Sequence, residues 1–303
     1  MWWLPRAAPL GEIDLFHATF NIMPAGLTMP CVTTIHDIMW LTNSDWCKAR
    51  FSRRVERRFY SHGIRRALST AAAIATVSEA SKHELLQWEP DLAGRVHAAS
   101  LGVSAEYRPT SQSSPCLAAL GLPAGKRIVL TVGQYVPYKN HEGALRIFAK
   151  AFAGQTDTHL VFVQRLSPKA EALRELARTL AIHDQVHFLE AVDDASLVAL
   201  YGAADALLHP SFCEGFGLPL LEAMACGCPV VASDHSAMPE VLGGAGLLAP
   251  VHDTQAMASA LRRVLDDRDL AESLRKRGLA RAATFSWKKF AEQNLALYRN
   301  VLQ

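Results

Sequence analysis

The chain has 303 residues, 31 basic against 29 acidic side chains, and a formal net charge of +2. That length suits two domains, and half of the residues are apolar, enough for two cores. The near-neutral balance gives no general case for nucleic-acid binding, and no apolar run approaches the roughly 18 residues that span a bilayer. In chain order, Met1-Trp-Trp-Leu-Pro-Arg6 lacks the charged region, long apolar core and cleavage site of a signal peptide. Ile13–His17 and Cys31–Ile35 read as short buried strands, and His36-Asp37 follows the second. Residues 47–69 carry a helical pattern with Phe51, Val55 and Phe59 on one face. Ala72–Val77 is another strand, and Ser81-Lys-His-Glu84 has the form of a capping box opening a short helix.

Residues 104–125, rich in Pro, Ser and Gly, break this alternation and are expected to link two domains. The second half opens with strand Arg127–Val132, then Gly133 and a helix over Asn140–Phe152. Strand His159–Val163, helix 168–181, strand Val186–Leu189 and helix 193–203 repeat the unit, which argues for a parallel sheet. Ala206–His209 is a further strand, Leu218–Cys226 a helix with Pro219 in its first turn and Gly227 as its stop, and Pro229–Ala232 a strand. Gly243-Gly-Ala-Gly246 lies between a helix and a strand and reads as a turn. Ser286-Trp287 opens a last helix, to Leu302, with the apolar stripe Phe290, Leu297, Val301. The six cysteines (31, 47, 116, 213, 226, 228) form no Cys-x-x-Cys pair, so reduced thiols in a cytosolic protein are expected.

Neither a dinucleotide Gly-x-Gly-x-x-Gly nor a phosphate-loop motif is present. The chemistry concentrates instead in His209-Pro-Ser-Phe-Cys-Glu214-Gly-Phe216-Gly217-Leu218-Pro-Leu-Leu-Glu222. A strand, a glycine-permitted turn and a helix N-terminus make an anion pocket, because the free N–H groups and the positive dipole end point to one place. Glu214 stays on the loop at the strand's carboxyl end, while Glu222 lies about one turn inside the helix. A nucleotide diphosphate with a carboxylate on each side suits that pattern. Solvated structural glutamates are the plainer alternative, weakened by the Phe, Gly, Leu and Pro around both acids. Lys139, past one strand and before one helix, can neutralise a leaving diphosphate without a metal; otherwise it is an exposed lysine.

This run, continued in Pro229–Ser233 and Met238-Pro-Glu-Val241, resembles the E-x7-E block of the retaining glycosyltransferases of family 4 (group 1). The resemblance extends from about Ile13 to Leu302. It implies an α/β GT-B fold: two Rossmann-like parallel-sheet domains facing a cleft, here 1–108 and 109–285, with helix 286–303 packing back on the first. It also implies a metal-independent enzyme moving a hexose, of mannose or glucose type, from a nucleotide diphosphate sugar to a glycan or lipid-linked glycan, with retention and without a cofactor. By resemblance Glu214 binds the sugar hydroxyls, Glu222 the ribose, and Phe216, Gly217 and Leu218 form the phosphate turn. His36, in the family's His-Asp segment, contacts the sugar near its reacting carbon through its carbonyl or ring. Relatives usually place an arginine five residues before the lysine or directly before it. Those places hold Gln134 and Tyr138, and Arg165 is the expected substitute. The base is expected near Phe188–Val192.

Helix 48–66 carries eight basic residues against Glu56, which suits an anionic membrane surface as well as a solvated face. A cytoplasmic protein, peripheral on the inner face of the membrane, is the corresponding expectation. Relatives open with about two further βα units, so the first domain is expected to be incomplete. That leaves a non-catalytic nucleotide-sugar-binding remnant as the main rival reading. A pyridoxal-phosphate phosphorylase of the same fold and a protein-interaction module are weaker rivals.

Overall fold

Residues 12–47, 52–110, 117–163, 170–190 and 192–303 are described by a computed structural model. They divide into two units, one formed by the residues up to Gly102 together with 286–303, the other by 103–285.

In the first unit, strands β1 (Phe16–Ala18), β2 (Cys31–Ile35), β3 (Ala73–Thr76) and β4 (Val96–Ala98) form a parallel sheet in sequential order. Short parallel strands covered on both faces need no polar alternation, and β2 and β3 are buried throughout. One face packs on helix α1 (Arg53–Thr70) through Ile64, Ala67 and Leu68. The other carries the C-terminal helix α10 (Trp287–Leu302), whose Leu297 sits on Val32, Ala73 and Ala75 beside Tyr298 and Val301. Burying Leu297 stabilises this docking by about 2 kcal/mol. Two sequence expectations change here. Helix α1 runs from Arg53 after Ser52, and Val55 and Phe59 share a face that is exposed rather than buried, while Phe51 lies outside the described residues. The short helix α2 (Glu79–Trp88) is capped by Ser78, whose side chain accepts from the Ser81 amide, so Ser81 lies within the first turn.

The second unit is a six-stranded parallel sheet in the order β10-β9-β8-β5-β6-β7. Its strands are β5 (Arg127–Val132), β6 (Thr158–Val163), β7 (Val186–Leu189), β8 (Ala206–His209), β9 (Val230–Ser233) and β10 (Leu247–Ala249). Helices α3 (His141–Phe152), α4 (Ala170–Thr179), α5 (Asp194–Ala203), α6 (Leu218–Ala225) and α7 (Met238–Leu242) alternate with them, and α8 (Thr254–Asp266) and α9 (Arg268–Ala282) follow β10. Strand order reverses between β5 and β8, so the loops leaving their carboxyl ends diverge and leave a crevice. The boundary falls at 102/103 rather than at 108/109. Tyr107 packs edge-on against Tyr201 of α5, which ties the segment 103–110 to the second unit.

Candidate functional site

The crevice between β5 and β8 is built from two turns. After β5, Gly133 adopts φ 144°, and an ideal Cβ there would lie 3.3 Å from Lys139 Cε. A residue without a side chain thus makes room for the lysine. The chain then turns through Pro137–Lys139 into Asn140, a left-handed N-cap at φ 53°. Asn140 Oδ1 accepts from the Gly143 amide at 3.1 Å, and its Nδ2 donates to the Pro210 carbonyl at 3.0 Å, clamping the first turn to the second. In the second turn the Phe212 amide donates to the Tyr138 carbonyl at 2.7 Å, and Ser236 Oγ donates to the Glu214 carbonyl at 2.7 Å.

Lys139 and Glu214, 75 residues apart in sequence, meet here: Nζ donates to Oε1 at 2.7 Å. The same oxygen lies 2.8 Å from Nε2 of His209, the last residue of β8, which is 1% exposed, and Ser211 Oγ lies 3.1 Å from that nitrogen. Burial alone would raise the Glu214 carboxyl. The Lys139 ammonium and the His209 hydrogen bond outweigh it and hold the group down at about 2. Burial, with Lys139 nearby, pushes His209 below its ordinary value despite Glu214, so a neutral imidazole donating from Nε2 satisfies the carboxylate. His141, at the start of α3, is fully buried between Tyr135 and Phe162. Neither of its ring nitrogens has a partner of good geometry among the described residues, although the Gly133 backbone slightly favours its charged form. Burial and Lys139 lower it to about 4.

Below this cluster the loop enters α6 through Gly217 at φ 95°, and no side chain caps the helix start. Leu218 amide and the dipole end of α6 therefore offer an anion site beside Lys139. Phe216 is turned into the core, 3% exposed, with its ring edge-on to Phe285, so its side chain anchors the loop. Inside α6, Glu222 Oε2 accepts from the hydroxyl of the fully buried Tyr201 at 2.9 Å, and the Tyr107 hydroxyl lies near the same carboxylate. Burial leads in raising the Glu222 carboxyl, with Asp194 adding to it and Tyr201, Lys139 and Tyr107 opposing.

Gln134 is exposed in the first turn. Arg165, and Lys48 and Arg50 of the basic stretch, lie outside the described residues. Phe188 lies parallel to Phe162 at 5.2 Å, with the Arg174 guanidinium 5.3 Å over its ring. In the first unit His36 follows β2 and is held at three points. Its amide donates to Asn21 Oδ1 at 2.7 Å, its carbonyl accepts from Ser81 Oγ at 3.0 Å, and its Nε2 lies 3.1 Å from the Thr19 carbonyl. A proton on Nε2 satisfies that last contact and leaves Nδ1 as the ring's open acceptor. Among the described residues no group of three His, Cys, Asp or Glu is arranged to hold a metal ion. Sequence reasoning missed His209, Ser211, Tyr201 and Tyr107. The one available signal was a histidine closing an apolar strand five residues before Glu214.

One family and three known proteins resemble this chain. The sequence profile of "Glycosyl transferases group 1" matches residues 117–281. The chain is 32% identical over 291 residues to O-antigen chain mannosyltransferase B of Escherichia coli, covering 94% of this chain and 74% of that one. It is 29% identical over 306 residues to the MMP alpha-(1->4)-mannosyltransferase of Mycolicibacterium hassiacum, covering 96% and 72%. Among solved structures, sucrose-phosphate synthase from Thermosynechococcus elongatus matches with a TM-score of 0.79 and 26% identity, over 96% of this chain and 75% of that chain. The fold is that of the GT-B enzymes, with two Rossmann-like parallel-sheet units.

Proposed function

This chain belongs to the glycosyl transferases group 1 family, and from that membership and the geometry around Glu214 we propose that it transfers a hexose from a nucleotide diphosphate sugar. The hexose is of mannose or glucose type, and the names of the two mannosyltransferase relatives favour mannose. The acceptor is a glycan or lipid-linked glycan, and transfer retains configuration, as family 4 membership would entail.

The observation that carries this reading is the buried Lys139–Glu214–His209 cluster beside the uncapped start of α6. An ammonium, an amide and a helix dipole converge where negative charge develops on a leaving diphosphate, which lowers the barrier without a metal. Lys139 takes the diphosphate together with the Gly217–Leu218 turn. Glu214, kept ionised, accepts from sugar hydroxyls, and Glu222 accepts from the ribose. His36 supplies an acceptor, through Nδ1, to the electron-poor sugar carbon, and attack occurs on the face the diphosphate leaves. Gln134 and Arg165 assist the diphosphate. A calorimetric screen of UDP, GDP and ADP sugars against wild type and Glu222→Ala tests the reading. Expected is one donor bound by the wild type and weakened at least tenfold in the variant; no binding by either sinks it. Transfer that survives EDTA and yields a product of unchanged anomeric configuration checks the metal and stereochemical parts.

Helix α1 supports a site of action at an anionic membrane surface. Arg54, Arg57, Arg58 and Arg65 are exposed along it, and so are Val55 (65%) and Phe59 (48%). Guanidinium groups flanking an exposed aromatic suit the headgroup layer of a bilayer, and no helix among the described residues is long and apolar enough to cross one. We propose the cytoplasmic face as its site of action. Co-sedimentation with phosphatidylglycerol vesicles should fall in high salt and in Phe59→Ser; binding indifferent to both would exclude this surface.

A further inference from the structure

We propose that Tyr107 and Tyr201 are positioning residues that aim the Glu222 carboxylate at the donor's ribose. The proposal rests on the reading of Glu222 given above and adds two residues from elsewhere in the chain.

Tyr201 is fully buried on α5, and its hydroxyl donates to Glu222 Oε2 at 2.9 Å. Tyr107 arrives from the segment 103–110, sets its ring edge-on to Tyr201 at 6.2 Å, and brings its hydroxyl near the same carboxylate. A lone carboxylate one turn inside a helix can rotate about three side-chain bonds. The Tyr201 hydroxyl holds one of its oxygens, and Tyr107, from a separate element, backs that phenol and limits the rotation further. Phenols only donate to an ionised acid, so they use part of its four acceptor positions and leave the rest for two ribose hydroxyls. They also favour the ionised form over the protonated one. The charged and titratable groups around Glu222 are Tyr201 and Asp194 of α5, Tyr107, Lys139 from the turn after β5, and Cys226 at the end of α6. Burial and Asp194 work against the charge, while Lys139 and the two phenols support it. Removing either phenol therefore has a signature that loss of packing lacks: nucleotide binding weakens more at low pH, because Glu222 takes up its proton at a higher pH.

The test titrates full-length protein between pH 5 and 8.5 with UDP, GDP and ADP, following whichever binds the wild type. Tyr107→Phe and Tyr201→Phe keep both rings. Each should raise Kd about three- to tenfold at pH 6 and less at pH 8, move the acid limb of binding upward, and raise donor KM with little change in kcat. Glu222→Gln should bind weakly with no acid limb in this range. If Glu222→Ala loses binding while both phenylalanine variants match the wild type in Kd and acid limb, the positioning role is overturned and the ribose reading stands. Should Glu222→Ala bind as the wild type does, the ribose reading falls and takes this inference with it. Tyr107 is only partly buried, so Tyr107→Phe carries the test even if Tyr201→Phe does not fold.

Discussion

Lys139 and Glu214 expose only 11% and 9% of their side chains, so each charge depends on the other for compensation. Lys139→Met leaves Glu214 with His209 alone and should cost about 3 kcal/mol of stability as well as transfer activity. Adding Glu214→Gln should restore part of that stability but none of the activity, a double-mutant cycle read by chemical denaturation. Two titrations set the acid behaviour. Glu214 falls from an ordinary 4.5 to about 2, so its contribution is complete above pH 4.5 and disappears as pH drops toward 2. His141 falls from 6.5 to about 4, so its contribution is complete above pH 6.5 and disappears as pH drops toward 4. His141→Phe should therefore remove about 3 kcal/mol of the wild type's loss between pH 6.5 and 4. Melting curves across that range check it, and an unchanged slope would assign the loss elsewhere. The sequence made both glutamates and Lys139 visible as chemistry-bearing groups. It could not make their contact visible, because two turns 75 residues apart approach only through the pairing of β5 with β8.

Among the elements, the turn from β5 into α3 depends on one residue. Asn140 tolerates its left-handed backbone because a short polar side chain bonds locally, and that side chain both caps α3 and holds Pro210. Asn140→Ala should cost about 2 kcal/mol, from the lost cap and the strained φ together, whereas Asn140→Gly should cost less because glycine relieves the strain. Urea midpoints compare the two, and equal losses would assign the whole effect to the cap. Strands were the most legible elements. Cys31–Ile35, Arg127–Val132, Val186–Leu189 and Ala206–His209 begin and end where their apolar and β-branched runs do. Helix starts were harder to place. Ser78 and Ser81 offer the same hydroxyl, and the backbone decides between them: Ser78 is extended, as a cap must be, while Ser81 already lies inside the helix. Helices α8 and α9 carry no site motif, though Asp253 and Asp267 cap them in the ordinary way.

Across the molecule, two sheets with separate cores imply separable responses to damage. Leu297→Ala should destabilise the first unit by about 2–4 kcal/mol, since the leucine is 5% exposed against Val32, Ala73 and Ala75. Hydrogen exchange should then quicken in β2 and β3 while β5 and β8 keep wild-type protection; uniform quickening would mean one cooperative block. That α10 belongs with the first sheet was foreseeable only from the family resemblance. Its stripe of Phe290, Leu297 and Val301 names no partner. The place where it begins has a further meaning. An ideal Cβ on Gly102 would lie 2.1 Å from the Trp287 amide, so the chain leaves the first unit and re-enters it at the same spot. From the first unit's side, residues 103–285 are thus a guest threaded through a single doorway. Splicing Gly102 to Ser286 with a few glycines should excise the guest and let its host fold without it.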